Sequence, residues 1–328
     1  MSWNVFVTRR VPQAGLDMLY APCETVEVNP EDRVLTREEI LASVQGRDGV
    51  LCLLTDTIDD EVFEAARGAK IFANYAVGFN NIEVEAATRR GIMITNTPGV
   101  LTDATSDMAW ALLFAAARRM VESDRFVREG RFEGWGPMLF LGGDITGRTL
   151  GLVGAGRIGA AVARKSVGFR MKVLYTDTVR NEALEQEIGA ERVKLEELLK
   201  ASDFVSIHVP LMPETVHLIG AEQLALMKET AYLINTSRGP VVDENALVEA
   251  LKARKIAGAG LDVYENEPEM APGLAELDNV VLAPHIASAT VETRTKMATM
   301  AAGNLLAGLR GEIPPNLVNP EVLSKESV

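Results

Sequence analysis

Two cysteines and three histidines are all that these 328 residues contain of the side chains that most often cross-link a chain or hold a soft metal. Cys23 and Cys52 lack metal-ligand spacing, and Cys52 sits inside the apolar run 50–54. No metal site is expected, and two isolated thiols fit a reduced, cytoplasmic protein. Positive charge is also short: 33 lysines and arginines stand against 46 aspartates and glutamates, a formal net charge of −13. Nucleic acid, which needs a basic surface, is therefore not an expected partner. An anionic ligand must instead be caught by cations placed locally. Long hydrophobic runs are missing as well. The longest, 108–117, is bounded by Asp107 and Arg118 and falls short of the ~20 residues that span a bilayer, so no membrane partner is expected. Near the N-terminus, 3–8 reads as a strand with Arg9-Arg10 behind it, the reverse of a signal peptide.

What is present is ordinary for a soluble globular protein, with 47% hydrophobic and 24% charged residues, and the length asks for two domains. Strand-like runs at 4–8, 49–54, 71–74 and 93–95 alternate with helical patterns such as 61–66 and 84–90. A second series runs through 150–153, 172–175, 204–208, 231–235, 258–262 and 280–283. Such βα repetition implies α/β architecture with parallel sheets. Between the series, 104–119 reads as a strong helix that crosses between domains. The following 131–141 gathers Phe132, Trp135, Pro137 and Phe140 among glycines and suits no regular element. It reads as a contact surface for a second subunit or as a loop folded back on its own domain.

The second series opens on Gly154-Ala155-Gly156-Arg157-Ile158-Gly159, preceded by an apolar strand and followed by a helix-compatible stretch, a second strand and Asp177. Gly154 allows the tight turn, Gly156 lets backbone approach a pyrophosphate, and Gly159 permits close helix–strand packing, while the helix N-terminus offers amides to phosphate. Asp177 stands where a ribose hydroxyl is read. A carboxylate there favours NAD over NADP, yet Arg180, three residues on, could turn toward a 2′-phosphate.

Two later segments carry chemistry. Arg238, in 235–239, follows an apolar strand and so lies at the carboxyl edge of the second sheet, where it can pair with a carboxylate or polarise a carbonyl. Glu267 and His285 are placed at neighbouring strand ends, and a glutamate stabilises an imidazolium that must give a proton to a carbonyl oxygen. Alone, His285 also reads as a hydrogen-bonded strand-end histidine. His208 and His217 show no comparable acidic partner.

With the further marks 77–82, 96–99, 208–211, 260–263 and 284–285, the chain resembles the D-isomer-specific 2-hydroxyacid dehydrogenase family over nearly its whole length, and within it the branch reducing glyoxylate and hydroxypyruvate. The resemblance implies two Rossmann-like doubly wound domains with a cleft between them. Residues 1–99 and 287–328 would form a discontinuous, flavodoxin-like substrate domain, and 100–286 an NAD-binding domain with a dimerisation arm. It implies Arg238, Glu267 and His285 as the catalytic set, with Leu54, the amides of Val77 and Gly78, and Trp135 toward a small 2-oxo or 2-hydroxy acid. Leu54 also reads as plain strand core. The implied cofactor contacts are Thr105, Gly154, Gly156, Arg157, Ile158, Gly159, Asp177, Pro210, Thr215, Thr236, Asp262 and Ala287. The implied assembly is a homodimer. Other small 2-oxo acids, including the phosphoglycerate branch, and the NAD-sensing corepressors that resemble the same family remain alternatives.

Overall fold

The structure, a computed structural model, describes residues 3–325 and forms two compact units. One comprises the residues up to Leu101 together with those from Ala289 on; the other is Thr102–Ser288. In chain order the first unit contains β1 (Asn4–Val7), α1 (Gln13–Tyr20), β2 (Thr25–Val28), α2 (Arg37–Ser43), β3 (Gly49–Cys52), α3 (Asp60–Ala65), β4 (Ile71–Asn74), α4 (Val84–Arg89) and β5 (Met93–Thr95). The second unit opens with α5 (Thr102–Ala117) and α6 (Met120–Arg128), then β6 (Thr149–Val153), α7 (Arg157–Lys165), β7 (Lys172–Thr176), α8 (Glu182–Ile188), β8 (Glu191–Arg192) and α9 (Leu195–Ala201). It continues through β9 (Phe204–Ile207), α10 (Ala221–Leu226), β10 (Tyr232–Asn235), α11 (Glu244–Lys252), β11 (Gly258–Leu261) and β12 (Val280–Leu282). The last long helix, α12 (Val291–Leu309), returns to the first unit.

Both sheets are wholly parallel. The first has the order β2-β1-β3-β4-β5, the flavodoxin-like winding. β3 and β4 are buried along their full length, as a strand covered on both faces must be. α12 lays Ala298, Ala301, Ala302 and Leu305 into the core shared with Val5, Leu16, Leu51 and Ile71. β2 was not anticipated. It is a four-residue edge strand with no buried residue, so its sequence carries little of the apolar signal that marks the central strands.

The second sheet runs β12-β11-β10-β9-β6-β7-β8. The order in which successive strands are added reverses between β6 and β9, and in open parallel sheets ligands bind outside the carboxyl ends at such a switch point. α5 begins two residues earlier than expected and does not cross between units. It lies wholly in the second, packed on α7, β10 and β11, with Trp110 Nε1 donating to the Val162 carbonyl at 3.1 Å. Residues 131–141 contain neither helix nor strand, and part of the stretch folds back on its own unit. Phe140 folds back edge-on to Phe126, ring centroids 5.2 Å apart, under the Arg119 guanidinium. Trp135 stands 86% exposed, with Phe132 and Met138 exposed beside it.

Candidate active site

The turn after β6 is built on steric grounds. Gly154 has φ +98°, and a Cβ there would come within 2.8 Å of the His208 backbone at the end of β9. Any side chain at 159 would lie 2.1 Å from the Gly154 carbonyl oxygen, so α7 approaches the turn as closely as it does only with glycine there. Gly156, the N-cap of α7, makes no side-chain cap bond, and a Cβ on it would meet nothing within 4 Å. The first amides of α7, with Arg157 exposed and Ile158 half-buried, therefore face open space at the positive end of the helix dipole. Thr236, at the end of β10, adds a buried hydroxyl with no protein partner among the described residues. These features fit a dinucleotide: an open anion cradle and an orphaned polar group on the same sheet edge.

Asp177, at the end of β7, accepts from the Ala155 amide at 2.7 Å through Oδ2 and from the Val179 amide at 3.1 Å through Oδ1, which aims the carboxylate beside the glycine turn. Arg180 does not turn toward this position. Its Nε and Nη2 are held by Glu185, at 3.0 and 2.7 Å to Oε2, and Glu185 is braced by the buried Tyr175 hydroxyl at 2.7 Å. The 210–215 loop closes on itself, with Thr215 Oγ1 donating to the Pro210 carbonyl and accepting from the Met212 amide. Thr105 is buried on α5.

His208, whose backbone walls the glycine turn, bonds Ser206 Oγ through Nε2 at 2.8 Å. Burial pushes its imidazole down to about 3, so it is neutral in the working range. Because the unfolded chain takes up this proton at an ordinary value of 6.5, the contribution of His208 to stability is complete above that pH and declines as pH falls toward 3. The thermal midpoint of a His208→Asn variant should accordingly drop less between pH 7 and pH 5 than that of the parent; parallel pH dependences would show the imidazole is not buried neutral.

Farther along the same edge, His285 Nδ1 meets Glu267 Oε2 at 2.8 Å. With Nδ1 bonded to a carboxylate, Nε2 is the nitrogen left to exchange a proton, and no protein group holds it among the described residues. Glu267 Oε1 accepts from the Tyr264 amide at 3.1 Å. Burial raises the Glu267 carboxyl, but the His285 bond and charge, the Tyr264 amide and Arg238 outweigh it and hold the group below the ordinary glutamate value. Arg238 donates from Nη1 to the Ser237 carbonyl at 2.7 Å, and burial lowers its guanidinium while the charge of Glu267 opposes that shift. The Asn235 side chain shapes this turn, accepting from the Ser237 amide and donating to the Arg238 carbonyl.

His285 itself has φ +52°, a strained conformation for a residue with a Cβ. Asp262 accounts for its persistence. Its backbone carbonyl accepts from the His285 amide, and its fully buried carboxylate accepts from the Ile286 and Ala287 amides at 2.7 and 2.8 Å. Asp262 and Ala287 are thus joined to each other in the turn that presents His285. His217, expected to lack an acidic partner, has one: its Nε2 lies 2.6 Å from Glu265 Oε1, a pairing of residues 48 apart that the sequence does not advertise.

In the first unit, Leu54 lies beyond the end of β3, in a turn and half-buried, so it is not strand core. The turn is tied by Asp56, whose Oδ2 accepts from the Leu53 amide and the Thr8 hydroxyl. After β4, the Val77 and Gly78 carbonyls are held by the side-chain amides of Asn96 and Asn74 at 2.7 and 2.9 Å. No protein acceptor takes either residue's own amide among the described residues. Asn74 was missed as a site residue; its signal is a polar residue closing an otherwise apolar strand.

A dinucleotide cradle that continues along one sheet edge into a cation and a carboxylate–imidazole pair is the arrangement of an NAD(P)-dependent oxidoreductase. The family model for the NAD-binding domain of D-isomer-specific 2-hydroxyacid dehydrogenases matches residues 110–287, and the chain belongs to that family. A glyoxylate reductase of Korarchaeum cryptofilum is 57% identical over 98% of this chain and 98% of its own. Among solved structures, a glyoxylate reductase from Paecilomyes thermophila is 34% identical over 98% and 99% of the two chains with a TM-score of 0.86. An NADPH-dependent glyoxylate/hydroxypyruvate reductase from Sinorhizobium meliloti, in complex with NADP and malonate, is 32% identical over 98% of each chain with a TM-score of 0.84. No helix among the described residues is long and apolar enough to cross a membrane.

Proposed function

We propose that this protein reduces glyoxylate to glycolate and hydroxypyruvate to D-glycerate with NADH as the reductant. The observation that carries the reading is the Glu267–His285 pair, with its available Nε2, on the edge that holds the glycine cradle. The cofactor residues are the 154–159 turn, Asp177 and Thr236, and bound there the reduced nicotinamide supplies a hydride to the substrate carbonyl carbon. His285 gives its Nε2 proton to the carbonyl oxygen, so that C=O becomes CH–OH, and Glu267 stabilises the imidazolium before transfer. Arg238 draws charge from the carbonyl and pairs with the substrate carboxylate, to which the Val77 and Gly78 amides also donate. Leu54 limits the substrate to a short side chain. Trp135 and its apolar neighbours form the contact of a homodimer, and free Cys23 and Cys52 suit the cytoplasm.

Initial rates with NADH and NADPH against glyoxylate, hydroxypyruvate, pyruvate and phosphohydroxypyruvate test the reading. Fast NADH oxidation with either of the first two is expected. No turnover of any of the four, with NADH still bound, would overturn it.

The preference for NADH rests on Asp177 facing the ribose while Glu185 restrains Arg180. Asp177→Ser removes the like charge a 2′-phosphate would meet and should shift the ratio of kcat/KM values toward NADPH by about tenfold, equivalent to ~1.4 kcal/mol. An unchanged ratio would mean that Asp177 does not read the ribose.

A further inference from the structure

Glu244 is the first residue of α11, where a carboxylate ordinarily sits in solvent and complements the helix dipole, as the exposed Glu61 and Glu182 do in α3 and α8. Glu244 is instead 4% exposed. Its two oxygens reach out of the helix to one loop: Oε2 accepts from the Glu265 amide and Oε1 from the Ala271 amide, both at 2.6 Å. A single buried carboxylate therefore ties both ends of the segment 265–271, and Glu267 lies inside it. The attachment is reciprocated, because Glu265 Oε2 accepts from the Glu244 amide at 3.1 Å while Glu265 Oε1 is met from outside by His217. The same segment is pressed against the turn that bears Arg238. A Cβ on Gly239 would fall 1.8 Å from the Tyr264 carbonyl oxygen, so the two turns touch backbone to backbone.

We propose that Glu244 is a positioning residue for the Glu267–His285 pair, holding the Glu267 carboxylate at bonding distance from His285 Nδ1, with Glu265 and His217 as its outer brace. The inference rests on the reading of His285 as proton donor. Among the described residues the Glu267 carboxylate has a single backbone anchor, the Tyr264 amide, so its place against the imidazole depends on where the segment ends are fixed. A carboxylate suits the task because it accepts on both oxygens, whereas a glutamine in its place has one acceptor and turns an NH2 group toward the other amide.

Glu244→Gln is expected to lower kcat for glyoxylate reduction by roughly ten- to a hundredfold, the effect of a small misplacement of a reacting group. NADH affinity, measured by fluorescence, should stay within about twofold, and the pH profile of kcat should approach that of Glu267→Gln. A parent-like kcat and pH profile would overturn the proposal. So would a fall in kcat matched by an equal loss of NADH binding, which is the mark of general loosening. If Glu244→Gln does not fold, Glu265→Gln carries the same test, since its partner His217 is exposed: a lowered kcat with intact NADH binding and an altered pH profile supports the brace, and parent-like behaviour overturns it. Glu267→Gln and His285→Ala run alongside separate the two failures. Should both keep parental rates, the assignment of the proton donor falls; should both lose them while Glu244→Gln does not, only the positioning role falls.

Discussion

His285→Ala should lower kcat for glyoxylate reduction by roughly 10²–10⁴-fold, the usual worth of a placed general acid, while NADH affinity stays near that of the parent. The geometry separates the two effects. The ring engages Glu267 through Nδ1, and the cradle is formed by backbone around Gly154 and Gly159, which the substitution does not touch. The strained φ of residue 285 is enforced by Asp262 through backbone amides of 285–287, bonds that alanine keeps. The turn should therefore persist with its imidazole gone. Steady-state rates with NADH titrations check this, and turnover within a few-fold of the parent would exclude His285 as the proton donor.

Arg238→Lys should be nearly as damaging, with kcat/KM for glyoxylate lower by roughly 10²–10³-fold, the effect of removing one preorganised donor from developing negative charge. Lysine keeps the charge but not the fork. Arg238 sits after β10 with Nη1 fixed on the Ser237 carbonyl and its backbone carbonyl fixed by Asn235, so the guanidinium plane is set before a substrate arrives. An ammonium is a point charge on a flexible stem and cannot reproduce a bidentate contact. Arg238 also helps to keep Glu267 ionised, so the variant loses part of what supports the histidine as well. A loss smaller than about threefold would show that charge alone suffices at this position.

The sequence revealed most where one local stretch of chain imposes its own structure. Strand runs such as 71–74 and 93–95 show themselves through short-range hydrophobic patterning, and the glycine turn through steric demands that only Gly154 and Gly159 meet. The catalytic candidates Arg238, Glu267 and His285 were legible because each lies in the turn or loop that follows a strand, and parallel strands bring their carboxyl ends to one edge whatever the details of packing. By contrast, β2 and the two-residue β8 are edge strands with little apolar signal, and their pairing depends on the neighbour each one finds.

The tertiary structure alone decided which polar groups hold one another. Glu185 draws Arg180 away from Asp177, His217 meets Glu265 across 48 residues, and Asp262 joins the turn that strains His285. Glu244 passes in the sequence for an ordinary first-turn acid and becomes a buried anchor only when the loop after β11 folds over α11. Composition, periodicity and glycine spacing act over a few residues, and they determined the class of fold and the sheet edge that carries the candidate site. Hydrogen bonds between residues tens of positions apart exist only after the chain has closed on itself, and they determined how each candidate site residue is aimed.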